Sequence, residues 1–373
     1  MDIHKRKLLK ILAATTALAP LSKFSLAETN QQVFFLGISS RYNGKYYLNG
    51  LDKTGKQIYA LPLTSRAHDI SLQPNGHHAV ITARRPGYYL LVFDTPTGKP
   101  LFELSPNDNH HLYGHSLFSN DGHWLYSSEN DFENKRGIIC KRDCFNDYKI
   151  VDEFPSYGIG PHEIAMLSDK KTLVVANGGI LTHPDTGRTQ LNLDTMSPSL
   201  AYIDTDSGEL IDSIKLDHSL HQNSIRHLAV TPQDDVCFAM QFSGNPNSRP
   251  PLVGTHKLGQ AISLLNAPPL IQSSMKNYCG SVEIDHSGKI AAISSPKGSI
   301  ITFWSIKESR YLDNITVDDG CGISTTNIAN EFIITSGNGG IYSYKVLEKK
   351  LSTLTNNYQD RYQWDNHLSR ILS

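Results

Sequence analysis

The sequence predicts an all-β fold, a seven-bladed β-propeller whose ring is closed by N-terminal strands pairing with the C-terminal inner strand. Three observations lead there. A strand–turn–strand pattern recurs six times, the repeats begin about one blade apart, and the two ends of the chain supply the strands of a seventh unit.

The six repeats run from His68 to Ala83, His115 to Ser128, His162 to Ala176, His227 to Met240, Ser281 to Ser294 and Gly322 to Thr335. Each joins two short apolar strands rich in β-branched and aromatic residues. Pro74-Asn75-Gly76 and Asn120-Asp121-Gly122 are turn signals, because glycine supplies a positive φ without steric cost. A four-stranded blade takes about 40–50 residues. The first two steps fit this, and two longer ones hold insertions at 178–198 and 244–251. Tyr89–Asp94, Ala201–Asp204 and Ile300–Trp304 read as third strands. One further step beyond Gly322 reaches Trp364-Asp365-Asn366-His367, a lone inner strand. Val33–Ser39, Lys45–Leu51 and Gln57–Leu63 lack an inner partner, so joining them to it closes the ring and protects strand edges. No long segment sustains a 3.6-residue period.

The 373 residues include 35 basic and 36 acidic side chains, a formal net charge of −1, so no nucleic-acid partner is expected. Lys5-Arg6-Lys7-Leu8-Leu9-Lys10, the apolar Ile11–Leu21 and Ser25-Leu26-Ala27 read as an export signal over 1–27, similar to the twin-arginine type with one arginine replaced by lysine. The rest, 28–373, reads as one propeller domain. No later run is long enough to span a membrane, so the processed protein is expected in the periplasm of a Gram-negative bacterium, as a monomer and not as an integral membrane protein.

Histidine begins the predicted inner strand in five of seven blades: His68, His115, His162, His227 and His367. Inner strands line a propeller's channel, so these imidazoles are expected to form an arc at one mouth. The two other blades are neighbours and carry Cys279 and Cys321 just before Ser281 and Gly322. Imidazole with thiolate is a ligand set for copper, zinc or iron. Glu163 and Glu129 are candidate further ligands or carboxylates that orient them. Arg84, Arg188 and Arg226 are candidate anion-binding groups. Three readings stay open at this point: a metal site, a site for a small anion, and a polar rim whose histidines hold water. Cys140 and Cys144, like Cys279 and Cys321, permit disulfides as well as free thiols. No phosphate loop or nucleophile elbow occurs. Gly158-Ile159-Gly160-Pro161-His162 leads into a strand, so no nucleotide cofactor is expected and no catalytic residue is assigned.

Several strings carry a resemblance: Ala83-Arg84-Arg85-Pro86-Gly87, Gly158-Ile159-Gly160-Pro161-His162-Glu163, Ala176-Asn177-Gly178-Gly179-Ile180, His221-Gln222-Asn223-Ser224-Ile225-Arg226-His227 and Trp364-Asp365-Asn366-His367. Together they resemble the exported bacterial family known as domain of unknown function 1513, over nearly the whole processed chain. The resemblance implies a propeller of the YVTN/lactonase-like kind. It also implies partners of imelysin-like and di-haem peroxidase-like type, linked to periplasmic iron or copper. The histidine ring is similar to the copper-holding channel of nitrous oxide reductase propellers, but that enzyme's cupredoxin-type domain has no counterpart here, so reductase activity is not expected. The leading expectation is a propeller that binds iron or copper for uptake or handling. The alternatives are a lactonase-like hydrolase of a small anionic substrate and a non-catalytic protein-binding scaffold.

Overall fold

The computed structural model describes residues 32–41, 43–356 and 362–371. The proposed export segment, 1–27, lies outside the described residues.

Among the described residues the chain forms seven four-stranded antiparallel sheets, each running in simple order from inner to outer strand. The inner strands are Ala67–Leu72, His110–Phe118, Pro161–Met166, Asn223–Val230, Ser281–Ile284, Gly320–Thr325 and Tyr362–Arg370. Each contacts the next in this order, and the last returns to the first. Closure is as the sequence predicts. Phe35–Arg41 lies between the C-terminal strand and Tyr46–Leu51, with Gln57–Leu63 outermost. Phe35 pairs with Arg370 and Arg41 with Tyr362. No helix among the described residues is long and apolar enough to cross a membrane.

Burial explains the strand composition. The second strands Thr172–Asn177 and Ile290–Ser295 are buried at every residue, because neighbouring blades cover both their faces. They therefore read as continuous apolar or small-residue runs. Outer strands such as Pro100–Leu104 are largely exposed. The apolar clusters straddle adjacent blades. Val174, Leu200 and Tyr202 pack against Ile225, Phe238 and Met240 of the next sheet. Phe238 and Phe303 are fully buried, and each such side chain contributes about 1.5–3 kcal/mol. Gly76 adopts φ +71° in its predicted hairpin turn.

The inner strands depart from regular pairing where the site lies. Register breaks between Ala67 and Asp69, Leu112 and Ser116, Pro161 and Ile164, and Ile225 and His227. It breaks again between Gly320 and Ile323, and opposite Ile38 in the C-terminal strand. A bulge leaves a residue outside the ladder and re-aims its side chain. Each of the five predicted histidines sits in or immediately beside such a bulge. This corrects the placement at strand starts. His115 and His367 are each the sixth residue of their strand and His227 the fifth, so the imidazoles lie inside the channel.

Candidate functional site: a five-histidine cluster beneath a cationic cavity

The five imidazoles do not trace an arc around an open mouth. They converge into one cluster. The His68 ring lies 4.9 Å from His115, 5.3 Å from His162, 6.1 Å from His227 and 4.7 Å from His367, between centroids. His115 and His162 are 4.8 Å apart, as are His162 and His227, and His227 and His367 are 5.0 Å apart. The bulges throw the side chains inward. His68, His115, His162 and His227 are buried.

Two imidazoles are oriented by carboxylates. His227 Nδ1 lies 2.9 Å from Glu163 Oε2, and His115 Nδ1 lies 3.4 Å from Asp69 Oδ2 and 4.0 Å from Glu163 Oε1. A proton held on Nδ1 leaves Nε2 with its lone pair free, the arrangement found behind metal-bound histidines. Five ring nitrogens in the cluster have no hydrogen-bond partner: both of His68, Nε2 of His115, Nδ1 of His162 and Nε2 of His367. Each unsatisfied buried polar group costs about 1–3 kcal/mol, so these nitrogens require a contact, from a metal ion or from water.

For four of the five imidazoles, charge favours the same reading. Burial, reinforced by neighbouring imidazoles and Arg84 or Arg226, holds His68, His162 and His227 well below the usual imidazole pKa, and His367 is pushed down to about 3. Burial opposes protonation of His115 too, but Glu163 and Asp69 outweigh it and raise its pKa. Burial raises the Glu163 carboxyl. Neutral imidazole is the form that ligates metal. Potential ligand atoms lie within 4.8 Å of one another in His68, His162 and His227, in His68, His115 and His367, and in His115, Glu163 and His227.

The other predicted residues divide. Cys279 and Cys321 are buried free thiols, so neither bridges the other. Cys279 Sγ lies 3.9 Å from the Leu252 carbonyl, and Cys321 Sγ lies 3.3 Å from that of Trp364. Both point into blade packing: Cys321 immediately precedes the channel position Gly322, where strand alternation turns it toward the core, and Cys279 lies two residues before Ser281, ahead of that strand. Burial raises their pKa to about 12, which keeps them as thiols. Cys140 and Cys144 are free as well. Glu129 is separate from the cluster. It is fully buried within its own blade, 3.1 Å from Arg142 and 3.2 Å from His110.

Arg84, Arg188 and Arg226 do come together, with His68, His162 and His227, around a cavity of about 360 Å³. Arg85 and Lys297 also line it. Lys297 escaped the sequence reading, yet a signal existed. It follows the second strand Ile290–Ser295 just as Arg84-Arg85 follow His78–Ala83. Asp69 was equally legible, since it follows His68 as Glu163 follows His162.

Gly114 fixes the approach of two blades. Its φ is +120°, and a Cβ there would fall 2.5 Å from His68 Cδ2. Gly114→Ala is expected to displace the His68 ring, and so to weaken any metal held by the cluster, while leaving the blades folded. Near-native far-ultraviolet circular dichroism with reduced metal affinity is the expected result, and unchanged affinity would count against the cluster geometry.

Fold and site together define a histidine-centred seven-bladed propeller. The chain belongs to the family described as protein of unknown function (DUF1513), whose model matches residues 61–371. Among solved structures it is similar to Kuenenia stuttgartiensis hydrazine synthase, with a TM-score of 0.61 and 14% identity over 90% of this chain and 98% of the other. At that identity the likeness shows the fold alone. No relative matches among the curated proteins.

Proposed function

We propose that this propeller binds a divalent first-row transition metal ion, iron or copper, at its five-histidine cluster and serves metal uptake or handling in the periplasm. The observation that carries this reading is the set of five buried ring nitrogens without partners, facing one another from four blades. With both thiols turned into the blades, the donors are imidazole with carboxylate beside it, which suits divalent iron or copper. His68, His115 and His227 each belong to two of the three overlapping ligand groups, and His68 alone offers both ring nitrogens buried and without a partner. Placement in the periplasm rests on the signal-like residues 1–27. The family resemblance points to imelysin-like and di-haem peroxidase-like partners.

The test is titration of metal-free protein with Fe(II) and Cu(II) against a competing chelator. Wild-type protein is expected to bind with saturation, and the double variant His115→Ala with His162→Ala to lose binding while staying folded. Equal binding by the double variant would refute the proposal.

A further inference from the structure

The cavity lying against the imidazoles has a chemistry of its own. Five cationic side chains line it: Arg84, Arg85, Arg188, Arg226 and Lys297. Its lining contains no carboxylate. Arg84 is held 3.2 Å from Asp365, which Arg66 also engages at 2.6 Å. Among the described residues, no carboxylate forms an ion pair with Arg85, Arg188, Arg226 or Lys297.

Like charges gathered in a recess repel one another and lose hydration, and such groups are retained where an opposite charge compensates them. Arg226 is 7% exposed, and its Nε has no hydrogen-bond partner. Arg85 Nη1 and Arg84 Nε are buried without partners as well. The cations are also positioned. Arg85 lies over the Tyr113 ring, 5.4 Å from its centroid, and Lys297 over Tyr278 at 4.4 Å. The five come from four blades, with only Arg84 and Arg85 sharing a loop, so no single loop explains their convergence.

We infer that this cavity binds a small oxyanion carrying two or more negative charges, a polycarboxylate or a phosphate-type anion, with its oxygens shared among the guanidinium groups. The guanidinium fork matches both carboxylate and phosphate oxygens. The volume suits a small molecule, being at the lower end of the usual range of about 300–1,000 Å³. Because His68, His162 and His227 line the same cavity, the bound anion reaches the imidazoles directly. The inference stands on the cations and does not depend on a metal being bound.

The experiment is calorimetric titration of the metal-free full chain at low salt with citrate, malonate, phosphate and pyrophosphate, with acetate and chloride as controls. Saturable binding of at least one multiply charged anion, stronger than either control and weakened by salt, is expected. Whichever class binds tighter identifies the source. Arg226→Gln should lose about ten-fold or more in affinity. Arg188→Ala lies on an exposed loop and does not threaten folding, and it should weaken binding several-fold. Binding no stronger than that of chloride, or affinity unchanged in both variants, would overturn the inference. Metal content, measured separately, tests the histidine reading, so the two can fail independently.

Discussion

His68→Ala will lower the affinity for the metal ion proposed at the cluster by more than about 100-fold, beyond the 10–100-fold typical of removing a group that only orients a ligand. Its ring lies within 6.1 Å of four other imidazoles, and it is the one imidazole of the five with both ring nitrogens buried and without a partner. The same substitution will cost the metal-free protein little stability. A histidine retained for packing alone gives the opposite pattern, since truncating a well-packed buried side chain costs about 2–5 kcal/mol. Urea denaturation of both metal-free proteins, set beside their metal affinities, separates the two roles. A large stability loss with unchanged affinity would assign His68 to packing.

The second large effect lies away from the cluster. Glu129→Gln will destabilise the protein by about 3–5 kcal/mol, because it leaves the Arg142 guanidinium buried without its counter-charge. Arg142 is 1% exposed and Glu129 fully buried, and the carboxylate also accepts from Ser127 at 2.8 Å. Replacing both charged residues by apolar ones of similar volume should recover most of the loss, since pairing and desolvation nearly cancel. Burial alone would raise the Glu129 carboxyl. The His110 hydrogen bond, Arg142 and Ser127 outweigh it and hold the group below its ordinary 4.5. Its contribution is therefore present above that value and lost as pH falls through the folded-state pKa. His110 is raised above 6.5, chiefly by the Glu129 hydrogen bond, so its share is present below 6.5 and fades as pH rises past its folded value. Denaturation midpoints of wild type and Glu129→Gln should converge in acid. A constant gap across pH would contradict this account.

The propeller was legible because blade spacing and turn chemistry agree. The repeats place the hairpins, and His367 marks the inner strand that the N-terminal strands complete. The histidines were legible as a ring, but not their depth. That depth depends on bulges at His68, His115 and His162, each a slip in pairing between two strands that one strand's pattern does not disclose. The cysteines misled for a related reason. Cys321 stands one residue before its channel position and faces the blade core by strand alternation, while Cys279 stands two residues before Ser281, ahead of that strand, where alternation gives no direction. The link between Glu129 and Arg142 joins residues of neighbouring strands, so it needed the register of Ser127 opposite Cys140 to become visible.

The central claim is that the five imidazoles hold a metal ion. Elemental analysis of the full chain, purified without an affinity tag, after expression with iron and copper supplied, tests it directly. The account predicts near-stoichiometric iron or copper, retained through dialysis and lost in His68→Ala. Metal-free wild-type protein that also fails to take up either ion on reconstitution would contradict it.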